Sequence, residues 1–331
     1  MWRGTIHYTL VWGCWILFPL FFLSSCRHKD TQTKQADQPQ WIKLGPGGGG
    51  ATFIPTFSYD SINKFLVRCD MTGAYLTKDG GESYQQVNFP NGSSSFAFDP
   101  HNPQTIYIGS SSLDRSADGG RTWKRIFPKT EDVEGEEFKG DHATFSFKVA
   151  AHSQYNTKSP DIHCIRVDPE KREMLYFSMG KSFYYSQDNG ATFKHKDLQY
   201  PVDLIYTNKD ALKDNVLVIT SNSIGTFNKL SETFEEKELP DDLSPVFSFT
   251  AGVARDNNQV IIYALHHDQS KVVHEEFGYT EIWKSNDKGE SWVKIDDPTI
   301  NNDINKIKPS PNEQCHYQRR PLNRKRTTLT K

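Results

Sequence analysis

Apolar and polar residues alternate in short runs along most of this chain, the period-two pattern of strands that bury one face. Between residues 41 and 303 no long stretch repeats at the 3.6-residue spacing of an amphipathic helix. Glycine, proline, asparagine and aspartate punctuate the alternation about every 8 to 12 residues, the rhythm of hairpins in an all-β fold.

An internal repeat lies over this alternation. Segments 77–84 (TKDGGESY), 116–123 (SADGGRTW), 186–193 (SQDNGATF) and 285–292 (SNDKGESW) share one pattern: hydroxyl, any, Asp, any, Gly, any, hydroxyl, aromatic. A worn copy stands at 227–234 (FNKLSETF), with Lys229 in the Asp position and Ser231 in the Gly position. The pattern predicts a hairpin corner. The carboxylates of Asp79, Asp118, Asp188 and Asp287 accept bonds from the turn's own N–H groups, and the glycine takes a positive φ. The aromatic residues Tyr84, Trp123, Phe193 and Trp292 then begin the next strand and pack inward. These positions are structural and are not expected to act as catalytic acids or metal ligands.

From Asp to Asp a unit of about 40 residues recurs, long enough for four short strands. Upstream of each corner runs a strand, an Asp-Pro-type turn and an aliphatic strand, clearest at 96–109 (FAFDPHNPQTIYIG) and 165–180 (IRVDPEKREMLYFSMG). Two steps are longer. The extra residues fall within about 127–158, which opens with Glu131, Asp132, Glu134, Glu136 and Glu137, and near 266–279. Repeat proteins carry such insertions as loops on one face, often the binding face. His266, His267 and His274 lie in the second, without a carboxylate or cysteine at metal-ligand spacing, and no metal or other cofactor is expected.

The octapeptide resembles the Asp-box of BNR-like propellers. The resemblance implies a β-propeller of four-stranded blades joined by Asp-box hairpins. About five blades are visible over 41–303, as an incomplete copy of a seven-bladed type. Residues 304–311 (INKIKPSP) resemble the opening of another blade, but beyond Cys315 the chain runs into 316–331 (HYQRRPLNRKRTTLTK), with six Lys or Arg and no acid. Segment 304–331 is therefore expected to be an aborted blade and an unstructured basic tail.

The first 25 residues read as an address. Arg3 precedes an apolar run from about Thr9 to Leu23, which closes on Leu23-Ser24-Ser25-Cys26 and looks like a lipobox. That resemblance implies removal of 1–25, acylation of Cys26 and a lipid anchor at the cell envelope of an exported protein, outer membrane or cell surface. The run is shorter than the roughly 20 residues of a spanning helix. Polar residues 27–40 then serve as a tether. Apart from Cys14 and Cys26, only Cys69, Cys164 and Cys315 remain, with no disulfide framework or CxxC spacing. A net charge of −2 argues against nucleic acid as a partner.

The stretch 41–84 (WIKLGPGGGGATFIPTFSYDSINKFLVRCDMTGAYLTKDGGESY) resembles the start of family-74 glycoside hydrolases, xyloglucanase-type endoglucanases. Gly47 to Gly50 match their Gly-rich opening, and Arg68, Asp70, Gly73, Ala74 and Tyr75 match an Arg-x-Asp-x-Gly-Gly-Ala-Tyr segment. Cys69 and Thr72 depart from it. The resemblance covers the first blade and implies that Asp70 is the catalytic base of an inverting hydrolase acting on β-linked glucans such as xyloglucan. Arg68 and Tyr75 would touch the polysaccharide. Chemically, an inverting enzyme needs a second carboxyl group, the acid, roughly 6.5–9.5 Å from the base so that a water fits between them. In the family that acid comes from a second propeller. A structural reading of Asp70 as an Asx-turn cap stands beside this one. A sialidase is disfavoured because the Arg-Ile-Pro signature is missing. A non-catalytic glycan- or protein-binding propeller, as in sortilin-type receptors, is the alternative. The chain is expected to act as a monomer.

Overall fold

The computed structural model describes residues 46, 52–70, 73–87, 89, 92–138, 145–254, 257–268 and 279–295, with the backbone of 304–309 and 315–319. The signal-peptide, Cys26 and tether assignments lie outside these residues, and so do the Gly-rich opening and Thr72. Among the described residues no helix is long and apolar enough to cross a membrane.

Five four-stranded antiparallel sheets follow one another in chain order as the blades of a β-propeller. Blade 1 holds β1 (Thr52–Phe57), β2 (Phe65–Cys69), β3 (Gly73–Thr77) and β4 (Gln85–Val87). Blade 2 holds β5 (Ser95–Phe98), β6 (Ile106–Gly109), β7 (Leu113–Ser116) and β8 (Lys124–Phe127). The first insertion folds as a short 3-10 turn, Thr130–Asp132, and a separate hairpin of β9 (Val133–Phe138) and β10 (Phe145–Val149). Blade 3 is β11 (Ile162–Val167), β12 (Leu175–Met179), β13 (Ser182–Ser186) and β14 (Lys194–Asp197). Blade 4 is β15 (Val202–Tyr206), β16 (Asn215–Thr220), β17 (Ser223–Asn228) and β18 (Phe234–Glu238). Blade 5 is β19 (Val246–Val253), β20 (Val260–Asp268), β21 (Tyr279–Ser285) and β22 (Val293–Lys294). Within the terminal segment, β23 (Ile304–Pro309) pairs with β24 (Cys315–Arg319), and β23 runs beside β19 and β20 as the inner strands of a further blade would.

The core is a series of layers between blades. Side chains alternate across each strand, so a second strand flanked by blades on both sides must be apolar at every position. In β6, Ile106 and Ile108 pack with Leu66, Ala74 and Leu76 of blade 1, while Tyr107 turns to Ile165, Leu175 and Phe177 of blade 3. In β16, Val216 and Val218 face Tyr176 and Phe183, and Leu217 and Ile219 face Val260 and Ile262. Phe177 and Tyr184 stack nearly parallel at 4.5 Å between ring centres, with Phe127 of blade 2 5.1 Å from each. Burying one such ring contributes about 2–3 kcal/mol.

Backbone bonds tie blades 3, 4 and 5 each to the one before. Ile162 N–H donates to Ser110 O at 2.8 Å, Val202 N–H to Gly180 O at 2.9 Å, and Val246 N–H to Ser221 O at 2.8 Å.

Candidate functional site

A four-stranded meander puts its first and third hairpins at one end of the blade. The middle hairpin and the connection to the next blade lie at the other end. All four intact octapeptides occupy third hairpins. At the first, Asp79 Oδ1 accepts the Ser83 N–H at 2.9 Å and the Thr77 hydroxyl at 2.8 Å, and Thr77 Oγ1 accepts the Gly81 N–H at 2.9 Å. The same bonds recur at Asp118, Asp188 and Asp287. The Ser83 hydroxyl and N–H hold Asp79 down to about 2. Asp118 is lowered by the equivalent bonds from Thr122. At Asp188 and Asp287 desolvation opposes ionisation, but hydroxyl and N–H bonds outweigh it. Two consecutive residues take positive φ in each turn: Gly80 and Gly81, Gly119 and Gly120, Asn189 and Gly190, Lys288 and Gly289. Every acceptor is engaged inside its own corner, so these carboxylates are structural. Of the aromatic residues that close the corners, Phe193 and Trp123 pack in the core layers on either side of blade 2, and Trp292 packs beside Phe249. Tyr84 lies edge-on to Phe65.

The worn octapeptide is built differently. Asn228 Oδ1 accepts the N–H groups of Leu230 and Ser231, both at 3.0 Å, while Lys229 turns into the protein. A single residue there, Glu232, has a positive φ.

Asp70 stands at the other end, in the middle hairpin of blade 1, and is exposed. Cys69, buried beside it, has its Sγ 3.7 Å from Asp70 Oδ1. Gly73 has φ +85°, and a Cβ there would meet nothing within 4 Å, so conformation and not crowding selects glycine. Arg68 pairs with Ala74 across the hairpin, and Val67 pairs with Tyr75. Directly paired residues share a face, so Arg68 and Tyr75 project from opposite faces of blade 1. Arg68 instead lies over the ring of Phe53, 6.0 Å from its centre.

Both insertions emerge at the same end as Asp70. The β9–β10 hairpin joins blade 2 to blade 3, and β20 and β21 extend to the pair Asp268 and Tyr279. His266 makes a 3.2 Å hydrogen bond from Nδ1 to Pro245 O. A buried acid, Asp114, accepts the Ser112 hydroxyl at 2.6 Å, and burial pushes its pKa up against the pull of that bond and of Arg125. The same end carries three residues that sequence reasoning did not single out: His163, Asp203 and Phe247, each at a register irregularity in an innermost strand.

No family model matches the sequence, and no curated protein matches it. An ancestral GH74 enzyme superposes with a TM-score of 0.59 at 16% identity, over 83% of this chain and 35% of its own. The GH74 xyloglucanase from Xanthomonas campestris gives 0.49 at 14% identity, over 77% and 46%. YCF48 bound to D1 peptide gives 0.46 at 12% identity, over 85% and 93%. The chain thus spans about a third of the length of the ancestral enzyme, and at this identity the likeness is one of fold: a β-propeller like that shared with an ancestral GH74 enzyme.

Proposed function

We propose that this chain is a glycoside-hydrolase-like propeller that acts on β-linked glucans of the xyloglucan type, with Asp70 as general base. The observation that carries the reading is the placement of an exposed carboxylate in the middle hairpin of blade 1, within the Arg68, Asp70, Gly73, Ala74, Tyr75 segment, at the end where both insertions emerge. The fold it shares with an ancestral GH74 enzyme supports the same reading. In an inverting reaction Asp70 takes a proton from a water, which attacks the anomeric carbon from the face opposite the leaving oxygen. A carboxylic acid across the cleft protonates that oxygen, and where the acid belongs to another polypeptide segment this chain binds without cleaving. A purely binding role is the second reading, favoured by the exposed ring of Phe247 at the same end. We also propose that the chain is exported and anchored through acylated Cys26.

Reducing-sugar release from xyloglucan and from mixed-linkage β-glucan tests the enzyme reading. Release that disappears in Asp70→Ala supports it, whereas polysaccharide binding without release, unchanged in Asp70→Ala, supports the binding module. Incorporation of labelled palmitate, lost in Cys26→Ser, tests the anchor.

A further inference from the structure

The innermost strands of blades 3, 4 and 5 share an irregularity at one equivalent position. In β11 the pairing with β12 slips between Ile162 and Cys164. In β15 it slips between Val202 and Leu204, and in β19 between Val246 and Ser248. Each slip follows the residue whose N–H is tied to the preceding blade, namely Ile162, Val202 and Val246. Those three anchors are buried, at 0%, 3% and 5% exposure. The residue at each slip is turned out instead: His163 and Asp203 are exposed, and Phe247 is 54% exposed. The backbone slip recurs in β23 between Ile304 and Lys306, whereas β5 pairs with β6 without one.

A bulge gives up ladder regularity and re-aims one side chain, and bulges cluster where proteins bind ligands. The three slips stand at equivalent positions on three neighbouring inner strands, and place an imidazole, a carboxylate and an aromatic ring at one end of the propeller. Among the described residues the side chains of His163 and Asp203 have no hydrogen-bond or ion-pair partner. Asp203 is exposed as a residue, and partial desolvation pushes its carboxyl up to about 6. A poorly hydrated polar group gains most from a ligand hydroxyl that replaces the missing water.

The chemistry selects the ligand. With no lysine or arginine among the three, the cluster does not suit phosphate or another anion. Among the described residues no group of three His, Cys, Asp or Glu side chains could hold a metal ion. A pyranose fits: its apolar C–H face covers an aromatic ring, and its hydroxyls donate to a carboxylate and exchange bonds with an imidazole. We propose that His163, Asp203 and Phe247 form one subsite for a neutral pyranose unit at that end of the propeller. The proposal rests on the glycan reading above and adds to it a site on blades 3 to 5, separate from the Asp70 hairpin of blade 1.

The test is calorimetric binding of a xyloglucan oligosaccharide to the full chain carrying Asp70→Ala, so that the ligand survives. Adding Phe247→Ala should weaken binding about tenfold, and Asp203→Asn or His163→Ala should each weaken it several-fold. Phe247→Trp should retain binding. All three positions are exposed, so thermal unfolding should show each variant folded. Unchanged affinity in Phe247→Ala and Asp203→Asn, while the wild-type chain still releases sugar, would overturn the subsite and leave the Asp70 reading intact. Loss of oligosaccharide binding in every form, wild type included, would overturn both.

Discussion

Lys229 reaches across the seam between blades 4 and 3 to Asp168, its Nζ 3.1 Å from Oδ2, with both side chains sequestered at 2% and 0% exposure. Lys229 occupies the position that holds aspartate in the intact octapeptides, so the worn repeat has exchanged a local corner bond for a tie between blades. Asp168 is otherwise well served. Its carboxylate accepts the Tyr176 hydroxyl at 3.1 Å and the N–H groups of Glu170 and Lys171, and its carbonyl accepts a bond from His101 of blade 2 at 2.8 Å.

Removing one partner of a buried pair leaves an uncompensated charge, which costs about 3–5 kcal/mol. Lys229→Met should therefore lower stability by that order in chemical denaturation. Restoring the repeat with Lys229→Asp should be worse than Met, because it sets a second carboxylate against Asp168. A Lys229→Asp chain as stable as wild type would show that the pair contributes nothing.

Lys288 and Gly289 predict opposite signs at adjacent positions. Lys288 has φ 63° where the other turns carry Gly80, Gly119 or Asn189. Lys288→Gly should stabilise by about 0.5–1 kcal/mol by relieving a left-handed conformation. Gly289 has φ +93°, and a Cβ there would lie 2.3 Å from Cδ1 of buried Ile224. Gly289→Ala should then destabilise by about 2 kcal/mol or more. Thermal unfolding of the two single variants checks both.

The intact corners also set an acid limit. Asp79 titrates near 2 in the folded chain, below its ordinary 3.8, because the Ser83 hydroxyl and N–H favour the carboxylate. A depressed carboxylate contributes stability that is complete above about pH 4. That contribution fades as pH falls through 2. The unfolding midpoint should accordingly drop between pH 4 and pH 2, and Asp79→Asn should flatten part of that drop while lowering the midpoint at pH 7.

Much of this architecture is legible in the sequence. Ile106, Tyr107 and Ile108 are apolar without a break because both faces of β6 are covered, and the corners declare themselves by their spacing. Asp70 is found through its neighbours in the Arg-x-Asp segment. Other features follow from tertiary pairing and have no local sign. The opposite faces of Arg68 and Tyr75 depend on strand register. The acidic insertion reads as a loop on one face, yet Phe147 at its far side is buried against Tyr155 and lies under Arg125, which pins the hairpin. His163, Asp203 and Phe247 share no residue type. Only the buried anchors Ile162, Val202 and Val246 before them recur, and the bonds that make those anchors come from the neighbouring blade.

Asp203 yields the sharpest pH prediction. Its carboxyl titrates near 6 in the folded chain against 3.8 ordinarily, because it is partly desolvated. The folded state thus holds a proton that the unfolded state releases between pH 4 and pH 6, so stability falls as pH rises through that window and is level above it. Asp203→Asn removes the cost of ionisation. It should raise the unfolding midpoint at pH 7 and leave it unchanged near pH 4. Because the residue is exposed, solvent screening limits the gain to about 1 kcal/mol. An Asn variant that is more stable at neutral pH but binds oligosaccharide more weakly would show that the carboxylate is retained for its ligand at the expense of the fold. Equal midpoints at pH 7 would mean that Asp203 keeps its hydration, and would remove the electrostatic reason for placing a sugar hydroxyl there.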